Sequence, residues 1–154
     1  MFKTAPTKQM NMLRTLFLLS AILLSSASRA QSTVNITIKN IRNAKGVCCV
    51  ALFSNPTAFP GQLNKATKSV VVRATKGNAK VKFDNVPSGT YAIAVIHDEN
   101  EDGQLNTNFL GIPKEGYGAS NNRLPITCAP DFTGASFIVT AKVKDLDINL
   151  KYLL

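Results

Sequence analysis

The sequence predicts an all-β fold, an antiparallel Greek-key sandwich of about seven strands behind a cleaved N-terminal signal helix. Three observations carry this expectation. Short runs of apolar residues alternate with polar ones at the two-residue period of a half-buried strand. Gly, Pro and Asn clusters separate those runs. After the first thirty residues, no stretch repeats its apolar positions at helical spacing over a useful length, and no internal repeat is present.

Taken in order, Val34, Ile36 and Ile38 alternate with polar neighbours and form the first strand. Residues 40–46, with Asn43, Lys45 and Gly46, are a polar turn. Val47–Phe53 is continuously apolar, which suits a central strand covered on both faces. Pro56, Pro60 and Gly61 make residues 54–65 a loop with one helical turn. Val70, Val71 and Val72 mark a strand over 68–74. Lys76-Gly77-Asn78 turns the chain into a second run with Ala79, Val81 and Phe83, completing a hairpin. Asn85-Val86-Pro87-Ser88-Gly89 is a further turn, with Pro87 fixing one torsion and Gly89 supplying an unusual one. Residues 90–97 form a strand with Tyr91, Ile93, Val95 and His97 on one side. Residues 98–131 carry weak strand signal and hold five Asn, four Gly and three Pro. Strands over 135–142 and 145–152 close the chain.

The first thirty residues have three parts. Lys3, Lys8 and Arg14 give a positive start, residues 13–24 are nearly all apolar, and small residues follow through Ala30. This order is that of a secretory signal, with Ser28 and Ala30 fitting the peptidase subsites and cleavage expected before Gln31. The apolar core is about a dozen residues, short of the roughly 20 that span a bilayer, so no stable membrane span is expected after cleavage. The chain then divides into a signal peptide, residues 1–30, and a single domain, residues 31–154. The expected location is the periplasm or outside the cell.

Of the eighteen Lys and Arg, four lie in the first thirty residues, leaving fourteen against nine Asp and Glu. They are scattered rather than striped, so nucleic acid is not an expected partner. An oxidising compartment permits a disulfide. Cys48 and Cys49 are neighbours on a strand and face opposite ways, so one of them can face Cys128; Cys49 with Cys128 is the candidate bridge, and three small apolar fillers are the competing reading. With no Cys-x-x-Cys pair, a thiolate metal site is not expected.

The most informative stretch is Asp98-Glu99-Asn100-Glu101-Asp102-Gly103-Gln104-Leu105-Asn106. Oxygen side chains recur at alternate positions and Gly103 allows a sharp turn, which is how a short loop wraps a Ca²⁺ ion with hard oxygen ligands. Asp98, Asn100, Asp102 and Asn106 would give side-chain oxygens and Gln104 its carbonyl. Phe109 stands where the helical calcium motif has a bidentate Glu, so this is not that motif. Glu115 is the nearest carboxylate to close the loop. The competing reading is a solvated acidic turn. No catalytic residue is assigned. His97, Tyr117 and Asn121 are the expected ligand contacts, on a loop long enough to be functional. The alternative is a small metal-dependent or acid–base enzyme using His97 and the loop carboxylates.

The turn Pro87-Ser88-Gly89-Thr90-Tyr91 resembles a corner of transthyretin-like and carboxypeptidase-regulatory-like sandwiches, a likeness of fold only. A more specific resemblance runs through Phe83, Pro87, Gly89, Tyr91, His97-Asp98-Glu99-Asn100, Asp102-Gly103, Leu110-Gly111-Ile112-Pro113-Lys114-Glu115-Gly116-Tyr117-Gly118 and Ser120-Asn121. This set, with Ala51-Leu52-Phe53, Phe59-Pro60 and the late strand from Ala135 to Phe137, resembles domain-of-unknown-function family 2141, a family of exported bacterial proteins. The resemblance implies a periplasmic or secreted β-sandwich and no established activity. The chain departs from the pattern at Asn106, where Asp is expected, and at Ala119, where an aromatic is expected. The functional expectation is an exported binding or structural module with a calcium-stabilised loop and an envelope or extracellular ligand.

Overall fold

The computed structural model describes residues 31–125 and 128–154. The expected signal helix and the residue preceding the cleavage point lie outside the described residues. The described chain is mostly β, arranged as two sheets with almost no helix.

Eight strands are present: β1 (Gln31–Ile41), β2 (Val47–Phe53), β3 (Lys68–Arg73), β4 (Gly77–Pro87), β5 (Gly89–Asp98), β6 (Gly116–Ala119), β7 (Phe137–Val139) and β8 (Lys144–Asn149). One sheet has the order β4-β1-β8. The other has the order β3-β2-β5-β6, with β7 also paired to β5. A helical turn, α1 (Phe132–Ala135), precedes β7, capped by Asp131, whose side chain accepts the Gly134 N–H at 2.7 Å.

Alternation decides which residues enter the core. Val34, Ile36 and Ile38 of β1, Val81 and Phe83 of β4 and Ile148 of β8 meet Cys48, Val50, Leu52, Ile93 and Val95 of the second sheet in one buried cluster. Residues of opposite parity in β2 and β5 point the other way. Ala51, Phe53, Ala92 and Ala94 join Ala58, Phe59, Ala119 and Ala135 in a second cluster on the outer side of the larger sheet. The continuous apolar run of β2 is thus covered on both faces, as its composition predicts.

Three expectations need correction. The pairing is not wholly antiparallel, because β8 lies parallel to β1 from Val34↔Lys144 to Lys39↔Asn149. Period-two patterning is the same in either chain direction, so it carries no sign of this. The segment 98–131 is not all loop, because Gly116–Ala119 pairs with β5 as β6. All four of its residues are buried, so it shows no alternation. Its glycines serve close approach. A Cβ at Gly116 would strike the Tyr152 ring, and one at Gly118 would lie 2.9 Å from Ile148 Cγ2. Gly89, finally, does not supply an unusual torsion. The left-handed residue of that turn is Asn85, with φ of 57°. A Cβ on Gly89 would press on the Tyr91 ring at 3.3 Å, and Tyr91 donates its hydroxyl to the Pro87 carbonyl at 3.0 Å.

Candidate functional site

The segment 98–115 leaves the end of β5 and returns as β6, and three carboxylates organise it. Asp98 is 1% exposed. Its Oδ1 accepts the N–H groups of Glu101 and Asp102 at 2.7 and 3.2 Å, and its Oδ2 that of Gly103 at 2.7 Å. Positive φ at Glu101 and Gly103 curls the chain around that carboxylate. Glu115 joins the two sides of the loop, accepting the Glu99 N–H at Oε1 and the Asn106 N–H at Oε2, both at 2.9 Å.

Asp102 lies on the exposed side. Its Oδ1 accepts the Gln104 N–H at 2.9 Å, and its Oδ2 accepts the side-chain amides of Asn100 and Asn106 at 3.0 and 2.9 Å. The Asn106 side chain first, then the Gln104 N–H and the Asn100 side chain, hold the Asp102 carboxyl below its usual range. Asn100, Asp102 and Asn106 therefore converge on one point, while Asp98 and Glu115 are engaged with backbone. Among the described residues, no group of three His, Cys, Asp or Glu side chains stands ready to hold a metal.

His97 is fully buried and faces away from these carboxylates, on the opposite side of β5 from Asp98. Its Nε2 lies 2.8 Å from the Lys45 carbonyl and its Nδ1 2.8 Å from the Tyr152 hydroxyl. A carbonyl only accepts, so Nε2 carries the proton and Nδ1 accepts from Tyr152. The ring is 0% exposed and its Nδ1 lies 3.8 Å from Glu99 Oε1, while the Asp98 and Glu115 carboxylates are engaged with the loop backbone.

Tyr117, an expected ligand contact, is 9% exposed and lines the cavity described below. Burial pushes its hydroxyl above the usual range. Asn121, with φ of 63°, donates its side-chain amide to the carbonyls of Gly134 and Ser136 at 3.1 and 2.8 Å. It fastens the turn after β6 to α1 and remains exposed. The three cysteines are free thiols: Cys48 buried, Cys49 half-buried, Cys128 exposed. Burial first, and then the Asp98 and Glu115 carboxylates, raise the Cys49 thiol.

Two features escaped sequence reasoning. One is Arg42, which pairs with Glu99 at 2.6 Å, stacks 4.6 Å over the Tyr152 ring and donates to the carbonyls of Leu154 and Lys114. These partners lie 57 to 112 residues away in sequence, so no local spacing marks it. Burial tends to raise Glu99, but hydrogen bonds from Arg42 and Asn43 outweigh it and hold the carboxyl below its ordinary value.

The other is a cavity of about 760 Å³ on the outer side of the larger sheet. Ala94 and Ile96 of β5 with Tyr117 and Gly118 of β6 form its floor. The loop supplies one wall through Leu105, Leu110, Ile112 and Pro113; Pro60 and Leu63 stand with Cys128 and Pro130 elsewhere around it. The loop tip beside it is well tied. Asn108 Oδ1 accepts the N–H groups of Leu110 and Ile112, both at 2.9 Å, and the Asn108 N–H donates to the Ile112 carbonyl. This turn lifts Phe109 to 94% and Leu110 to 68% exposure. The signal was available as Leu105, Phe109, Leu110 and Ile112 inside a segment otherwise rich in Asn and Gly.

Among the described residues no helix is long and apolar enough to cross a membrane. The family model described as "Uncharacterized protein conserved in bacteria (DUF2141)" matches residues 36–147. No curated protein and no solved structure matches the chain.

Proposed function

For a chain that belongs to the uncharacterised bacterial family DUF2141, we propose the role of an exported binding module: a β-sandwich, periplasmic or secreted, whose loop 98–115 is stabilised by calcium and frames a ligand site. The cavity of about 760 Å³ carries this reading, because the loop with the oxygen-rich spacing is also its wall. Its volume is in the range of sites that enclose small molecules. The shared cluster of the two sheets supports the sandwich, and the three-part pattern of residues 1–30 supports export.

The convergence of Asn100 and Asn106 on Asp102 supports the calcium ligands. The two ends of a side-chain amide are alike in shape, and which end points inward follows the charge it meets. Against a lone carboxylate the NH₂ ends turn in. Around a cation the oxygen ends turn in, with Asp102, the Gln104 carbonyl and a remaining lone pair of Asp98 completing the set. Glu115, which ties the loop together, stands close enough to add charge.

Calcium titration followed by thermal unfolding tests the ion. Binding to the native state alone raises stability by about 2.7 kcal/mol when the free ion is at 100 times its dissociation constant. Asp102→Ala removes that gain while keeping the Asp98 and Glu115 bonds that hold the loop without metal. An unchanged melting temperature at millimolar calcium sinks the proposal. For export, N-terminal sequencing of the protein recovered outside the cytoplasm is expected to begin at Gln31.

A further inference from the structure

We propose that the cavity binds a single-chain amphiphile, its acyl chain laid over Ala94 and Ile96 and its polar head left at the mouth. This rests on the binding-module reading and names the ligand class for it.

The lining decides the class. Among the described residues that line the cavity, not one is charged. A phosphate, a free amino acid or a metal complex would lose its hydration there without gaining an ionic partner, which is strongly unfavourable. Polar side chains are few, chiefly Gln104, Thr107 and Tyr117, far fewer than a sugar's hydroxyls require. The walls are aliphatic, and among the described lining residues Tyr117 is the one aromatic ring, which offers a flat heterocycle no pair of rings to stack between.

The mouth narrows the class further. Leu110 both lines the cavity and is largely exposed, and it is followed on the outside by Phe109, exposed almost completely. Apolar side chains thus stand at the tip of the loop, in the wall and on the floor. A flexible hydrocarbon chain covers such a path, whereas a compact solute fills only its inner end. The hydrogen bonds around Asn108 hold the tip in place before a ligand arrives, which lowers the ordering cost of binding. A carboxylate head stays in water at the mouth, in the field of a domain with fourteen cations against nine anions.

The test uses the domain beginning at Gln31 and the fluorescent probe 1-anilinonaphthalene-8-sulfonate, displaced by saturated fatty acids of increasing length below their micelle concentrations. The affinity of the acids is expected to rise about fourfold per added methylene until the cavity is full. Leu110→Glu, at an exposed position where folding is not at risk, is expected to weaken the longer acids at least tenfold. Ile138→Glu, equally exposed on β7 and outside the cavity, is expected to leave them unchanged. A probe signal that no fatty acid displaces, or an affinity independent of chain length, overturns the ligand class and leaves the binding module standing. Equal weakening by both variants also overturns it. No probe signal at all, with circular dichroism showing a folded domain, overturns the module reading as well.

Discussion

Removing the Asp98 carboxylate strands three backbone donors at once, the N–H groups of Glu101, Asp102 and Gly103. Asp98→Ala is therefore expected to cost about 2–4 kcal/mol with or without calcium, read by urea unfolding. Asp102→Ala, on the exposed side, is expected to leave stability nearly unchanged without calcium. The two variants separate a residue that shapes the loop from one available to an ion. Tyr152 sits between a donor and an acceptor: its hydroxyl accepts the Arg42 N–H at 3.2 Å and donates to His97. Tyr152→Phe leaves His97 Nδ1 without its donor inside the core, and a loss of about 1–3 kcal/mol follows. The thiols respond to pH in a defined direction. Burial first, and the neighbouring Cys49 second, push Cys48 up to about 11 from 9.0. The unfolded chain releases that proton earlier, so the Cys48 contribution is intact below pH 9 and falls as pH rises toward 11. Glu99 and Asp102 have lowered values, so their contributions are present above the ordinary carboxylate range and are lost as acid protonates the folded form. In the native protein at neutral pH, alkylation is expected to reach Cys128 first and Cys48 last, measured by mass spectrometry. A Cys49–Cys128 bridge formed after export would instead leave a single titratable thiol in denaturant.

Among the elements, those with a clean two-residue period were legible. Val34, Ile36 and Ile38 locate β1, and Ala79, Val81 and Phe83 locate β4, because burial of one face writes itself into every second residue. β6 was not legible. Gly116-Tyr117-Gly118-Ala119 is buried throughout, and its glycines are set by Tyr152 and Ile148, which lie far along the chain. Gly118→Ala is expected to destabilise by about 1–3 kcal/mol through overpacking against Ile148, as a lowered denaturant midpoint with unchanged slope. Ala119, where an aromatic was expected, is fully buried opposite Ala94, in a cluster with Ala51, Ala92 and Ala135.

Across the whole molecule, the composition of residues 98–131 marked the region of interest but carried no sign of β6 or of the cavity. The oxygen spacing of Asp98, Asn100 and Asp102 is local and therefore readable along the chain. The cavity was invisible because its liners come from β5, β6, the loop after β2 and the residues around Cys128, and only folding gathers them. His97 looked available because a strand end is normally near solvent. The final residues cover it, with Tyr152 at its ring and Arg42 bound to the Leu154 carbonyl.

The parallel pairing of β1 with β8 has a consequence for the order of assembly. β1 is the middle strand of its sheet, and one of its two ladders joins residues some 110 positions apart, as between Asn35 and Asp145. A growing chain can dock β4 on β1 early, but the other edge of β1 stays open until residues 144–149 have been made. Closing so long a loop is slow, and an unpaired apolar edge invites pairing with another chain. Folding is thereby deferred to the end of synthesis, which would suit the export proposed above. A version ending at residue 143 is expected to aggregate during refolding, visible as light scattering, and a synthetic peptide of residues 144–154 added in trans is expected to suppress it.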